Sequence, residues 1–350
     1  MSISVCIIAK NEEGNIERCL QSAIGLADEI IFVDTGSTDK TVDIAKKFTD
    51  KIFHFEWNDN FSDAKNFALS NVTKEWILFL DADETIASSD YERVRELTKK
   101  TEFLGFSLIQ RNYTDNIGEF GWVSSKDDSY EESKKAFGYI PRKMVRLFKN
   151  DSRIKFEGIV HENVGDSILK IGKILNTGIP IHHFGTLNQT PEKIRQYIEL
   201  EKKNPKHDFF QYCKIGIQLH STGQNDEAIE FLEKSIEKNQ EFPFSFLELG
   251  VIMLEKRNLD EAKRLLHKAE SLIEHPMIYN YLGVLYGLLE DYKKSIDYLK
   301  KAISLLPANA DFHYNLGFAY AKAGMSNDAY IEMKKAAELN PAYKKLVEFY

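Results

Sequence analysis

The chain changes rhythm near residue 205. Before it, short apolar runs end in polar loops; after it, apolar positions recur at helical spacing. Ile3-Ser4-Val5-Cys6-Ile7-Ile8-Ala9 is rich in β-branched residues and predicts a buried strand, followed by the polar Lys10-Asn11-Glu12-Glu13-Gly14 and a helix from Asn15. A second strand, Glu29 to Asp34, ends in a carboxylate. It runs into Thr35-Gly36-Ser37-Thr38, where Gly36 permits a tight turn and Ser37 or Thr38 can cap a helix carrying Val42, Ile44, Ala45 and Phe48. A short strand near Lys51 to Phe55 precedes a helix around Asp63 to Leu69. The apolar run from Trp76 to Leu80 then stops at Asp81-Ala82-Asp83-Glu84. Strand and helix in alternation predict an α/β fold with a mostly parallel, Rossmann-like sheet, whose strand ends form a crevice able to hold a nucleotide. Phe103 to Gln110 reads as a further strand. The acidic, polar stretch from Tyr113 to Lys135 reads as a solvated loop, or as a binding flap that orders over a bound ligand.

Past a helix with Ile194, Tyr197 and Ile198, Asn204-Pro205 marks a boundary, giving expected domains at 1–205 and 206–350. The second contains a period. Gly216, Gly250, Gly283 and Gly317 are 34, 33 and 34 residues apart, and Ala228, Ala262, Ser295 and Ala329 keep the same spacing. Each unit carries two amphipathic helices, with small residues where the helices touch most closely. Pro307 and Pro341 mark the ends of units. The array resembles about four tetratricopeptide repeats, an all-α solenoid, although the Trp usual early in that motif is replaced by Tyr212, Phe246, Tyr279 and His313. Such arrays bind extended protein segments or pack against a second copy, so a homodimer is one expectation.

Composition adds mainly exclusions. Hydrophobic residues make up 43% and charged residues 29%, as in ordinary globular proteins. The net charge of −8 is spread over both halves, which argues against nucleic-acid binding. Cys6, Cys19 and Cys213 lack metal-ligand spacing and indicate no disulfide framework. No stretch approaches the ~20 apolar residues of a membrane span, and the start of the chain enters a strand directly, so a cytoplasmic location without stable membrane insertion is the expectation.

The candidate chemistry lies at the strand ends. Asp81 and Asp83, two apart, point to one side if their segment is extended. Paired carboxylates there suit Mg²⁺ or Mn²⁺ carrying substrate phosphates. Asp34 alone reads as a turn aspartate; with Asn11 and Asp83 at equivalent strand ends it reads as a ligand contact. Neither a Gly-x-Gly-x-x-Gly fingerprint nor a Walker loop is present, so phosphates must be held by metal and side chains. Lys65, on chemistry alone, is a solvated helix lysine. His161, His182 and His183 are candidate partners for a diphosphate-bound cation.

The residues Ile7-Ile8-Ala9-Lys10-Asn11-Glu12-Glu13, Val33-Asp34-Thr35-Gly36-Ser37-Thr38-Asp39, Phe61-Ser62-Asp63-Ala64-Lys65-Asn66 and Leu80-Asp81-Ala82-Asp83-Glu84 together resemble a family 2 glycosyltransferase of GT-A fold. The similarity continues through Arg142 to Phe148, Phe156 to Glu162 and Ile181 to Gly185, covering about residues 1 to 190. This later set is similar to the subgroup holding the sublancin-type peptide S-glycosyltransferases, and to short glucosyltransferases of lipopolysaccharide core assembly. The resemblance implies a UDP-sugar donor, with Ala9, Asn11, Glu12 and Asp34 on the uridine and Lys65 approaching the diphosphate. It also implies Asp81 facing ribose and sugar, and Asp83 on the metal with His183, His182 being the alternative. Inverting transfer needs a base on the acceptor side. Glu162 is the candidate, with Glu157, Asp127 and Asp128 as rivals, and Glu162 has the further reading of a partner for Arg142 or Arg146. The expected acceptor is a protein or peptide presented by the repeats. A lipid-linked or lipopolysaccharide-core saccharide is the alternative, and a nucleotide-binding scaffold the second alternative.

Overall fold

Ile3–Ala9 (β1) is almost wholly buried on both faces, which requires a strand on each side and helices above and below. The computed structural model describes residues 1–115, 121–158, 162–185, 191–202 and 207–344. Of the positions read from the sequence, 116–120 in the polar segment, Ile159-Val160-His161 and Asn204-Pro205 lie outside the described residues. The chain divides into two compact units, Met1–Asn204 and Pro205–Tyr350.

In the first unit β1 pairs in parallel with Glu29–Asp34 (β2) and, on its other edge, with Trp76–Asp81 (β4); Ile52–His54 (β3) pairs in parallel with β2. The register matters for function: Ala9 lies opposite Asp34, and Ile8 opposite Asp81, so three strands end level. Beyond β4 the chain adds Glu84–Thr85 (β5), Gly105–Thr114 (β6), Val123–Ser124 (β7), Gly138–Lys149 (β8) and Ile174–His183 (β9). The order across the sheet is β3-β2-β1-β4-β8-β6-β9-β5, with β7 on β8. Here β8 runs antiparallel to both β4 and β6, so the sheet is parallel in its first half and mixed as a whole. The helices Ile16–Ala23 (α1), Thr41–Ala45 (α2) and Tyr91–Thr98 (α4) pack on one face, with Leu20, Phe32, Leu78 and Val94 in that core. Phe61–Ser70 (α3) and Gly165–Leu169 (α5) cover the other face, over Val33, Phe79 and Phe156. Pro191–Lys202 (α6) closes the unit.

The polar stretch after Tyr113 differs from the solvated loop expected. β6 continues to Thr114, because Tyr113 is buried and stacks on His182 and Phe184. Residues 123–124 join the sheet edge, and Asp128 is tied back by Arg111 at 2.5 Å. The Arg111 guanidinium lies between the Tyr130 and Tyr139 rings, 4.9 and 4.6 Å from their centroids. A cation shared by a carboxylate and two aromatic faces fixes the segment on the sheet.

The second unit consists of helix pairs: Phe209–Ser221 with Asn225–Lys238 (α7, α8), Pro243–Glu255 with Leu259–Leu272 (α9, α10), Pro276–Leu288 with Tyr292–Leu305 (α11, α12), and Ala310–Lys322 with Ser326–Leu339 (α13, α14). The sequence period has a packing cause. A Cβ on Gly216, Gly250, Gly283 or Gly317 would meet Leu232, Leu266, Leu299 or Met333 of the following helix at 2.6, 2.9, 2.5 and 2.7 Å. Ala228, Ala262, Ser295 and Ala329 are buried beside these contacts, so each pair closes at a small-residue seam.

Candidate active site

Three loops meet where β1, β2 and β4 end. Asn11 follows β1 with φ 54°, a left-handed conformation that Asn tolerates. Its side-chain Oδ1 accepts from the Thr38 amide at 2.8 Å, and its own amide donates to Ser37 Oγ at 3.0 Å. The Glu12 amide donates to Thr41 Oγ1 at 2.7 Å, and the Ala9 carbonyl accepts from the Thr35 amide at 3.0 Å. The Asp34 carboxylate accepts from the Gly36 and Ser37 amides, with His54 Nδ1 3.3 Å away. The four uridine candidates, Ala9, Asn11, Glu12 and Asp34, therefore sit in one laced pair of loops, and Asp34 has the turn role its local sequence predicts.

Next to them lies a buried charge cluster. Lys65, on α3, is only 3% exposed, which overturns the solvated-lysine reading. Its ammonium contacts Asp81 Oδ1 at 3.2 Å and is ion-paired with Glu162, and it stands over the Phe79 and Phe156 rings. Arg146, projecting from β8, donates to Asp81 Oδ2 at 2.6 Å and to Glu84 Oε1 at 2.7 Å. Glu84 is fully buried and also accepts from the Asp81 amide at 2.8 Å and from Gln110 at 2.5 Å. Burial by itself raises the Asp81 carboxyl, but Arg146 and Lys65 outweigh it and hold the group well below the usual carboxylate range. Glu84 is raised, because its burial exceeds what Arg146 returns. The cluster is a chain of alternating charges, Glu162, Lys65, Asp81, Arg146, Glu84, in which each buried ion has a partner.

Asp81 and Asp83 do not face the same way. The extended run stops at Asp81, Ala82 and Asp83 form a turn, and Asp83 instead meets His183 Nε2 at 3.3 Å. His183 arrives there because β9 pairs antiparallel with β5, placing it opposite Glu84. Burial pulls the His183 imidazole down, yet the Asp83 carboxylate raises it to about 9. Gly185 closes the corner. A Cβ there would overlap the Asp83 carboxylate and crowd His183 Nε2 at 2.9 Å. His182, one residue earlier, points into the core: it is fully buried, its Nδ1 is 2.8 Å from the Tyr113 hydroxyl, and burial lowers it to about 3.

Among the rivals to Glu162, Glu157 lies more than half exposed and pairs with Lys170 at 2.9 Å, and Asp128 is committed to Arg111. Asp127 is exposed. The partner of Glu162 is Lys65, where the sequence suggested Arg142 or Arg146. Sequence reasoning left out Glu84 and Gln110 as members of the cluster. The uninterrupted Asp81-Ala82-Asp83-Glu84 run was the signal for the first, while nothing local marks the second.

No group of three or more His, Cys, Asp or Glu side chains able to hold a metal occurs among the described residues. Asp83 and His183 form a two-ligand corner, and Mg²⁺ or Mn²⁺ commonly takes one or two protein ligands and fills the remaining positions with phosphate oxygens and water. The residues fit a cation that arrives with a diphosphate.

Residues 4–156 match the glycosyl transferase family 2 model, and tetratricopeptide-repeat models match 212–241, 288–324 and 310–343. An uncharacterized glycosyltransferase of Rickettsia prowazekii is 30% identical over 58% of this chain and 67% of its own length. The chain belongs to glycosyl transferase family 2. The SPbeta prophage-derived glycosyltransferase SunS of Bacillus subtilis is 31% identical over 69% of this chain and 54% of its own length. A TPR repeat-containing protein of Synechococcus elongatus is 30% identical over 74% of this chain and 62% of its own. The chain thus spans between half and two thirds of the length of these last two relatives. Among the described residues of this family 2 chain no helix is long and apolar enough to cross a membrane.

Proposed function

We propose that this family 2 chain transfers a sugar, with inversion, from a UDP-sugar to a protein or peptide side chain, and that the repeats recruit the acceptor. The observation that carries the reading is the level ending of β1, β2 and β4. It gathers the Asn11–Asp34 loops, the Lys65–Asp81 pair and the Asp83–His183 corner along one edge.

On this reading Asp34 accepts the imide N–H of uracil, and Ala9, Asn11 and Glu12 line the nucleoside. Asp81 faces the ribose and sugar, kept ionised by Arg146 and Lys65. Asp83 and His183 would hold Mn²⁺ or Mg²⁺, which supplies neutralising charge to the departing diphosphate. Lys65 exchanges Glu162 for a diphosphate oxygen when donor binds, which frees Glu162 to take the acceptor proton. The acceptor oxygen or sulfur then bonds to C1 as the C1–oxygen bond to UDP breaks, the proton stays on Glu162, and the electron pair leaves with the diphosphate.

A thermal-shift panel of UDP, GDP, CMP and ADP, each with Mn²⁺ and with EDTA, tests the donor site, because a ligand that binds only the folded state raises Tm. Stabilisation by UDP in Mn²⁺ alone is expected. Equal response to all four nucleotides, or to UDP in EDTA, would overturn the assignment of Asp34 or of the metal respectively.

A further inference from the structure

A second cavity lies beside this edge, on the α1 side of the sheet. It is an open cleft of about 330 Å³ between α1, the start of α4 and the turn at 131–135, and its walls include Arg18, Ser22, Thr85, Tyr91, Glu132 and Lys135. The volume is within the range of small-molecule pockets. Two cations share it. The Arg18 guanidinium stands 4.3 Å from the Phe184 ring centroid, and the Lys135 ammonium 4.8 Å from the same centroid. Burial, then the nearby Arg18 charge, holds Lys135 below the usual lysine range.

The donors there are incompletely used. Arg18 gives Nη2 to Asn15 at 3.2 Å, but its Nε is buried with no hydrogen-bond partner among the described residues. Thr85, 3% exposed, has a hydroxyl in the same condition. A ligand oxygen in the cavity would give these donors an acceptor. Of the acidic side chains on the rim, Glu131 is turned outward, 80% exposed and paired with Lys134. Glu132 acts on Lys135, and Asp83, outside the lining, acts on Arg18. A neutral polyol would satisfy the hydroxyl but leave the Arg18–Lys135 repulsion in place; an anion relieves both.

From the convergence of Arg18, Lys135 and the unpaired Thr85 hydroxyl in one cavity, we infer a binding pocket that takes a carboxylate or phosphate group of a small ligand and whose lining excludes Asp83 and His183. The inference does not depend on the donor being a UDP-sugar.

Calorimetric titration of the full chain at constant ionic strength, with inorganic phosphate and with acetate as probes, tests it. The wild type is expected to show saturable binding of at least one anion. Lys135→Met and Arg18→Met should each weaken it by about ten-fold, and Thr85→Val by less, as expected for loss of a charged and a neutral hydrogen bond. Asp83→Asn removes a carboxylate that acts on Arg18 and should keep anion binding intact or tighten it. In parallel, Lys135→Met should bind UDP with Mn²⁺ as the wild type does, so that failure of the donor reading shows as loss of UDP binding with anion binding intact. Glucose 6-phosphate and glucuronate, run against phosphate and acetate, decide which class of anion the remaining space accommodates. Absence of saturable binding of every anion, indifference to both cation substitutions, or loss of binding in Asp83→Asn would overturn the pocket.

Discussion

The two units reach stability by different means. In the repeat unit the closest contacts are apolar and local: a glycine on one helix receives a leucine or methionine from the next, sixteen residues on in each pair, as from Gly283 to Leu299. In the sheet unit the contacts that define the edge are ionic and distant in sequence, such as Lys65 to Glu162 and Arg146 to Asp81. Packing of the first kind is insensitive to ligand. An ionic chain of the second kind can exchange one partner for another charged group, and on the proposed reading the Asp83–His183 pair would be completed by a cation that arrives with its ligand. The difference separates a region held by fixed apolar seams from one held by charges that can be re-paired.

The contrast can be broken in order of expected effect. Asp83→Asn should lower Mn²⁺-dependent sugar transfer by about a hundredfold or more while leaving the urea midpoint unchanged, measured by UDP release and by urea unfolding. A stability loss matching the activity loss would place Asp83 in the frame. Arg146→Met removes the cation between two carboxylates and should cost about 3–5 kcal/mol in unfolding free energy. Gly283→Ala adds a Cβ 2.5 Å from Leu299 and should cost about 1–3 kcal/mol, with the change seen by hydrogen exchange in α11 and α12 but not in β1 or β4.

The smallest effects concern pH, and the two units should differ in sign. Burial raises Glu29, but Lys51, Thr73 and Ser4 lower it from 4.5 to about 2, so its contribution is complete above 4.5 and is lost as pH falls toward 2. In the array, hydrogen bonding to Glu248, against burial and with help from Glu255, raises His220 from 6.5 to about 9. Its contribution is complete below 6.5 and is lost as pH rises through 9. Glu29→Gln should flatten the acid limb of a Tm–pH curve and His220→Gln the alkaline limb. A shift of the opposite limb in either variant would refute the pairing.

The legible part of this molecule was periodic or terminal. The 34- and 33-residue spacing gave the array because a steric seam repeats at one point in every unit, and carboxylates ending apolar runs gave the strand edge. Cross-chain pairing was not legible. Nothing around Lys65 signals that it is buried, since the groups burying it, Phe156 and Glu162, come about a hundred residues later. The divergence of Asp81 from Asp83 also escaped, because spacing by two implies a common side only while the backbone stays extended. The segment after Tyr113 looked solvated because its anchors, Arg111 and the two tyrosines, are polar in composition and act by enclosing one another.

The register of the first three strands sets where this protein can change length. Because Ala9 is held opposite Asp34 and Ile8 opposite Asp81, adding or removing one residue inside β1, β2 or β4 would displace a site group by about 3.3 Å and send it to the other face of the sheet. The connections that enter β2 and β4, at 24–28 and 71–75, lie at the opposite ends of those strands and hold none of the site groups, although Leu26 is buried there and Thr73 anchors Glu29. A change of length in the outgoing loops at 10–14, 35–40 and 82–83 instead moves the site groups themselves.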